Sequence, residues 1–278
     1  MNEKASVRDK SLEVNRTQAD FYDKKVAGAR RLNPTMRAWE WWRAGVYEVW
    51  DGIGVFGTVL DLHREWLGDL AGKRVLDLGC YTGNRLSLEL ARSSEAYLGI
   101  DLSDSALAQL RSRIEADGIQ GAEVKALDFL DKNFDYPPFD VIYANAVLHH
   151  FADFGLLMSL LHERLKPGGI VIAFDPMETS PIVRTVRAMY RPFQTNAAWE
   201  WPFRQKNFEK IQEYFEIEEL RGLVGRSKWV IPLSALPISR RWLVDAGRKL
   251  HEQDLARATG LNPDLWRCMS VTMRLRKR

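Results

Sequence analysis

In the stretch Val75-Leu76-Asp77-Leu78-Gly79-Cys80-Tyr81-Thr82-Gly83-Asn84, an apolar strand leads into a tight glycine turn and the start of a helix. About twenty residues later, the apolar run Tyr97-Leu98-Gly99-Ile100-Asp101 predicts a second strand that ends in a carboxylate. Two such strands, each with an acidic residue near its carboxyl end, are typical of a doubly wound sheet that binds a nucleoside at that edge.

The rest of the chain extends this alternation of strands and helices. Strands are predicted at 74–78, 96–100, 122–126, 139–144 and 169–175, with helical patterns between most of them. Strand-like segments at 217–223 and 269–275 would complete the sheet as an antiparallel hairpin. The fold class is therefore α/β: a Rossmann-like, seven-stranded, mostly parallel sheet with helices on both faces.

Residues outside this sheet are predicted to form additions to it. Residues 1–70 are expected to be a helical N-terminal cap, broken at Pro34 and around Gly54, with a polar, loosely ordered segment at about 1–20. Residues 71–278 would form the sheet domain, with inserts at about 177–205 and 231–266. The second insert, which carries Trp229 and Leu236, leaves contact with lipid or with a partner subunit open.

Composition narrows the classes of function. A net charge of +3 argues against nucleic acid as the partner. The chain lacks an apolar run long enough to span a bilayer, its two cysteines do not suggest a disulfide framework, and its first residues do not resemble a secretory signal. The spacing of His, Asp and Glu predicts no metal site. We expect a cytoplasmic protein, either a monomer or a homodimer.

The glycine turn limits the kind of cofactor. Gly79 and Gly83 let the backbone approach a ligand closely, and amide groups at the following helix start attract a carboxylate. A carboxylate such as Asp101 can accept hydrogen bonds from ribose hydroxyls. The turn lacks the third glycine of the Gly-x-Gly-x-x-Gly pattern that cradles a pyrophosphate, so a cofactor without phosphates fits better.

Further motifs follow in order along the chain: Ala126-Leu127-Asp128-Phe129 after the third strand, the segment from Asp140 to Phe151, and Leu165-Lys166-Pro167-Gly168-Gly169 before the fifth strand. Together with the first two strands, they resemble class I S-adenosylmethionine-dependent methyltransferases of the small-molecule type, over residues 73–175. The resemblance implies the cofactor S-adenosyl-L-methionine, held by Asp77, Gly79, Cys80, Tyr81, Thr82, Gly83, Asn84, Asp101, Leu102, Asp128, Phe129, Asn145 and Ala146, with Tyr22 closing over it. Many members have glycine where this chain has Tyr81.

A methyl group on a sulfonium is already activated, so the enzyme must align a nucleophile and exclude water. Removing the proton of a hydroxyl nucleophile calls for a base, a role to which histidine is suited. His149 and His150 lie after the fourth strand. Because adjacent side chains point in different directions, one of the two is expected to face the site, and His150 is the preferred candidate.

Aromatic residues outside the sheet predict the acceptor. The chain has 10 tryptophans, and large rings that a sheet core does not need often line a pocket. The predicted acceptor is a small, apolar or aromatic molecule, bound by Trp41, Trp42, Trp199, Trp201 and Phe203, with Trp39 and Phe193 as further candidates; for each ring, ordinary packing is the competing interpretation. O-methylation is favoured. Methylation of a small amine, and a non-catalytic protein that binds the cofactor, remain alternatives.

Overall fold

Seven strands form a single sheet in a computed structural model of the chain, which describes residues 3–28, 33–194, 197–234 and 236–278. The strands are β1 (Arg74–Leu78), β2 (Ala96–Asp101), β3 (Ala122–Ala126), β4 (Phe139–Asn145), β5 (Leu165–Pro176), β6 (Phe215–Leu223) and β7 (Ser270–Lys277). Their order is β3-β2-β1-β4-β5-β7-β6. The first five run parallel, and β7 lies antiparallel between β5 and β6. The predicted fold class is confirmed.

Ten α-helices surround the sheet in the described part of the chain. They are α1 (Glu3–Val26), α2 (Pro34–Ile53), α3 (Val55–Leu67), α4 (Arg85–Ser93), α5 (Asp104–Ala116), α6 (Phe154–Arg164), α7 (Pro181–Tyr190), α8 (Gln205–Tyr214), α9 (Val230–Leu233) and α10 (Arg240–Arg257). Alternate strand residues point to opposite faces. Leu76 therefore packs in one apolar cluster with α6 and α8, while Val75 packs in another with α3, α4 and α5. Both faces of the sheet are buried.

The start of the chain differs from its prediction. Residues 1–20 were expected to be loosely ordered because they are polar, but α1 is continuous from Glu3 to Val26. Hydrogen bonds hold it to the sheet domain: Asp23 Oδ1 accepts from Ser103 Oγ at 2.6 Å and from Ser105 Oγ at 2.8 Å. That expectation was wrong because a largely polar helix can be fixed by hydrogen bonds to residues distant in sequence, here together with the packing of Leu12 against the core.

The breaks predicted between the N-terminal helices do occur. Asn33 Oδ1 accepts from Met36 N at 2.8 Å and caps α2, which has Pro34 at its first turn, and Gly54 separates α2 from α3 with a φ of 98°. The division into a cap of residues 1–70 and a domain of residues 71–278 stays a prediction.

The second insert contributes α9 and α10, and α10 packs against α2. Trp229 and Leu236 are exposed there, and their contact with lipid or a partner subunit stays a prediction. Among the described helices, none combines the length and the apolar character needed to cross a membrane.

Candidate functional site

A cavity of about 360 Å³ opens at the carboxyl ends of β1, β2 and β4, where the strand order reverses direction. This switch point is where doubly wound sheets bind their ligands. Every residue predicted to hold the cofactor lines the cavity: Tyr22, Asp77, Gly79, Cys80, Tyr81, Thr82, Gly83, Asn84, Asp101, Leu102, Asp128, Phe129, Asn145 and Ala146. The structure therefore brings together residues that are up to 124 positions apart in the sequence, from Tyr22 to Ala146.

The turn after β1 leaves no room for a side chain at its first glycine. Gly79 has a φ of +69°, and a Cβ atom there would lie 2.4 Å from Val147 Cγ2. The absent side chain lets the turn pack directly against the segment that follows β4, which forms the other wall of the cavity. This close approach is the reason for glycine at position 79.

Changing Gly79 to alanine should therefore destabilise the protein more than changing Gly72, which has the same φ of +69° but no atom within 4 Å of the added methyl group. Both variants incur the strain of a left-handed backbone, about 1–2 kcal/mol. The clash with Val147 should add about 1–3 kcal/mol to the loss in Gly79→Ala alone. Urea unfolding of the two variants measures the difference, and equal losses would contradict this account of the turn.

The helix start after this turn is less open to a ligand than the sequence predicted. Asn84 Oδ1 accepts hydrogen bonds from Leu86 N at 2.8 Å and Ser87 N at 3.0 Å, and Asn84 N donates to Ser87 Oγ. These amide groups already have protein acceptors. The expectation that they attract a ligand carboxylate is therefore not met for these three residues.

Three carboxylates line the cavity, one from the end of each of the first three strands. Asp77 accepts from Tyr97 Oη at 2.8 Å, Asp101 accepts from Tyr81 N at 3.0 Å, and Asp128 accepts from Asn15 Nδ2 at 2.8 Å. Burial raises the pKa of all three, and that of Asp77 to about 6. Donor groups or a positive charge on a ligand would favour their ionised forms.

The raised pKa of Asp77 predicts a stability that depends on pH. Between its ordinary pKa of 3.8 and about 6, the folded protein holds a proton that the unfolded chain has released. The contribution of Asp77 to stability is therefore fully present below the lower value and is lost as the pH rises through the higher one. In the ligand-free protein, Asp77→Asn should raise the free energy of unfolding at about pH 8 by roughly 1–3 kcal/mol relative to the wild type.

At about pH 4 the two proteins should unfold almost alike, because the folded protein keeps Asp77 protonated and the unfolded chain has released only part of that proton. Asp135→Asn, at an exposed aspartate on the loop before β4, is the control. Urea unfolding at the two pH values measures the effect. An Asp77→Asn variant that is less stable than the wild type at the higher pH would refute the claim that the buried, ionised Asp77 carboxylate destabilises the folded protein.

The helix α1 covers the cavity with one of its faces. Asn15, Gln18, Tyr22 and Lys25 line the cavity, and their spacing of three and four residues places them on one side of a helix. Only Tyr22 was predicted. The spacing was visible in the sequence, but polar residues at helical intervals usually face solvent, so the signal did not identify the other three. Ser87, Val147 and Phe151 also line the cavity without having been predicted.

Tyr81 lies where the family resemblance expects glycine, and it adopts a φ of 48°. Its ring lies 5.9 Å from the ring of Tyr22, edge to face, and Lys25 Nζ lies over both rings. The bulky residue therefore contacts α1 and helps to roof the cavity. It does not fill the cavity, which it lines together with Gly79 and Asp101.

His150 faces the cavity in a defined tautomer. Its Nδ1 lies 2.8 Å from the carbonyl oxygen of Trp199, which can only accept, so Nδ1 carries the proton. Burial lowers the pKa of His150 to about 3, so the ring is neutral and Nε2 is a hydrogen-bond acceptor. The hydroxyl of Tyr22 lies 3.4 Å from Nε2. The geometry gives His150 a hydrogen-bond acceptor at the edge of the cavity.

His149 does not line the cavity, in contrast to its predicted catalytic role. Its Nδ1 lies 2.8 Å from Asp175 Oδ1, and both side chains are buried. The backbone amide of His149 also donates to Asp175, and the two histidine rings lie 4.1 Å apart. This arrangement suits a positioning role behind His150, because Asp175 holds His149 away from any ligand.

The aromatic residues predicted to bind the acceptor do not converge on this cavity. Trp41 and Trp42 lie on an exposed face of α2, and Phe193 is also exposed. Phe203 is completely buried, with its ring packed 5.1 Å from that of Phe154, and therefore belongs to the core. Trp39 packs against Trp42. The sequence shows that a ring is present but not which way it faces.

Two predicted aromatic residues do lie near the site. Trp199 is buried, with its ring 5.2 Å from that of Phe21 and its carbonyl bonded to His150. Trp201 lines a second cavity beside the first, and its amide donates to the carbonyl oxygen of His149 at 2.7 Å. The first insert is thus attached to the histidine pair by hydrogen bonds.

Comparison with known proteins agrees with this geometry. The family described as a methyltransferase domain matches residues 69–219, more than half of the chain. A trans-aconitate 2-methyltransferase from Methylobacterium nodulans is 39% identical over 107 residues, which are 38% of this chain and 39% of that protein. A ubiquinone biosynthesis O-methyltransferase from Neisseria meningitidis is 29% identical over 140 residues, 48% of this chain and 58% of the relative.

The chain thus spans about half the length of the curated relatives it matches, or less. Among solved structures, coclaurine N-methyltransferase in complex with N-methylheliamine and S-adenosylhomocysteine has a similar fold, with a TM-score of 0.55 and 18% identity. The alignment covers 79% of this chain and 72% of that one.

Proposed function

This chain belongs to the methyltransferase-domain family, and we propose that it is a class I S-adenosylmethionine-dependent enzyme that methylates a small molecule, at a hydroxyl oxygen. The observation that carries the proposal is one cavity lined by three carboxylates and by a neutral histidine whose Nε2 is a hydrogen-bond acceptor. The carboxylates suit a cationic nucleoside, and the histidine suits a hydroxyl group that must lose its proton.

The residues of the cavity fit this cofactor. In our proposal, Asp77 stabilises the positively charged methionine end, Asp101 accepts hydrogen bonds from the ribose hydroxyls, and Asp128 accepts one from the adenine amino group, beside the ring of Phe129. The raised pKa values support this, since positive charge and donor groups would favour the ionised forms. When bound, the cofactor supplies an electrophilic methyl group on a sulfonium.

His150 then has a defined task. Its Nδ1–H donates to the carbonyl of Trp199, which fixes the ring, and its Nε2 accepts the proton of the acceptor hydroxyl as the oxygen is methylated. Tyr22, 3.4 Å from Nε2, lies in position to hold the acceptor oxygen against the base. Asp175 has an indirect, positioning role: it orients His149, whose ring packs behind that of His150.

The choice of oxygen rests on His150. A neutral amine acceptor already has a lone pair and needs no base before transfer, so a histidine placed as an acceptor has more to contribute to a hydroxyl group. The name of the ubiquinone biosynthesis O-methyltransferase also favours oxygen. Cytoplasmic location and a monomeric or homodimeric state remain part of the proposal.

The proposal is tested by incubating the protein with S-adenosylmethionine labelled at its methyl group and pools of phenols, carboxylic acids and amines, followed by mass spectrometry. A labelled methyl group on the oxygen of one acceptor class is expected, and tandem fragmentation distinguishes oxygen from nitrogen. Heat-unfolded protein is the control. Label found only on amines would overturn the choice of oxygen. Label found nowhere, from protein shown to bind the cofactor, would favour a non-catalytic binding protein.

A further inference from the structure

A second cavity, of about 430 Å³, lies next to the first. Phe151 lines both cavities, and it directly follows His150 in the chain. The walls of the second cavity come from the segment after β4, from α7 and from the loop that leads into α8. A molecule in this space would reach His150 past the ring of Phe151.

The second cavity is lined by an excess of positive charge. Arg184, Arg187 and Arg191 follow one another at intervals of three and four residues, so α7 and its end present them on one side. Arg204 and Lys206 add two further cations from another wall.

Two carboxylates, Glu178 and Glu200, also line the second cavity. Glu178 accepts from Arg204 Nε at 2.6 Å, and Glu200 accepts from Gln194 Nε2 at 2.5 Å. Because Arg204 is paired with Glu178, the other four cations exceed the one further carboxylate, Glu200, and this excess of positive charge would attract an anion.

Apolar surface lies between the charges. Phe151, Phe154, Trp201 and Pro202 contribute to the lining. Guanidinium groups beside aromatic rings suit a molecule that has a flat or apolar body and an anionic group. The anionic group would bind the guanidinium groups, and the body would pack against the rings. The first cavity, with its three carboxylates, would repel the same anion. The first cavity is therefore lined by carboxylates and the second mainly by cations, and Phe151 lines both.

We propose that the acceptor of this enzyme is an anionic molecule, whose carboxylate, phosphate or sulfonate group binds among the arginines of the second cavity while its apolar body extends along Phe151 to His150. This inference rests on the proposed function, and it names the chemical class of the substrate. It predicts that the negative group of the acceptor sits apart from the atom that is methylated, since His150 lines the first cavity and the arginines line the second.

The test compares two probes that differ in one anionic group: the fluorescent dye anilinonaphthalenesulfonate and its unsulfonated counterpart, phenylnaphthylamine. Both are titrated into the purified protein saturated with S-adenosylhomocysteine. One charge-assisted contact should make the sulfonated dye bind about tenfold more tightly. In the double variant Arg184→Gln/Lys206→Gln this preference should fall about threefold or more, because two of the five cations of the lining are removed.

The control is Arg241→Gln, which removes an exposed cation from α10, outside the second cavity, and should leave the preference unchanged. Equal binding of the two dyes by the wild type, or a preference that is undiminished in the double variant, would overturn the inference. Calorimetry with S-adenosylhomocysteine is run on every variant. If the wild type does not bind S-adenosylhomocysteine, that result would count against the proposed function itself, regardless of how the two dyes bind.

Discussion

Replacing His150 with glutamine should lower the rate of methyl transfer by about 10²–10⁴-fold, the usual contribution of a general base. Glutamine fills a similar volume and can still donate to the carbonyl of Trp199, but it cannot take up a proton. The affinity for S-adenosylhomocysteine should stay close to that of the wild type, because the three carboxylates remain. Steady-state kinetics with the identified acceptor, together with calorimetry, separate the two effects.

The matched control is His162→Gln, on α6, whose ring packs against Tyr214 and does not line the cavity. It should leave the rate unchanged. An unaltered rate in His150→Gln would remove the base from the mechanism and leave alignment alone to account for transfer. Loss of cofactor binding together with rate would mean that His150 is needed to form the cavity.

Replacing Asp101 with asparagine should weaken the binding of S-adenosylhomocysteine by about 10- to 100-fold. The carboxylate already accepts from the amides of Tyr81 and Ser103, and its remaining lone pairs are the ones proposed to accept from the ribose. Asparagine replaces one oxygen with a donor and removes the charge. At least one of these hydrogen bonds must then be lost.

Asp104→Asn provides the control for this variant, since Asp104 is exposed at the start of α5, three positions further along the chain. It should bind S-adenosylhomocysteine like the wild type. Thermal unfolding of both variants shows whether the turn after β1 stays folded. Wild-type affinity in Asp101→Asn would contradict the proposed ribose contact.

The sheet and many residues that line the first cavity could be predicted because their signals are local. Buried strands appear as short apolar runs, and a site at the ends of parallel strands draws its residues from the last positions of each run and the few that follow it. Asp77, Asp101 and Asp128 each occupy such a position. Their convergence follows from the topology alone, so the sequence is sufficient to locate them.

Residues whose role depends on distant contacts could not be predicted in the same way. The order of α1 comes from Asp23 bonded to Ser103 and Ser105, which lie some eighty positions away. The choice between His149 and His150 depends on Asp175, which holds the former. The arginines of α7 line a cavity with Phe151 only because the first insert folds back beside that residue, and nothing in their spacing indicates this neighbour.

The first experiment is a calorimetric titration of the purified wild-type protein with S-adenosylhomocysteine. We expect binding at one site with a dissociation constant in the micromolar range, roughly −8 kcal/mol. The cavity at the ends of β1, β2 and β4 is then the cofactor site. No detectable heat of binding from well-folded protein, across a range of temperatures, would contradict the account and exclude the proposed catalysis.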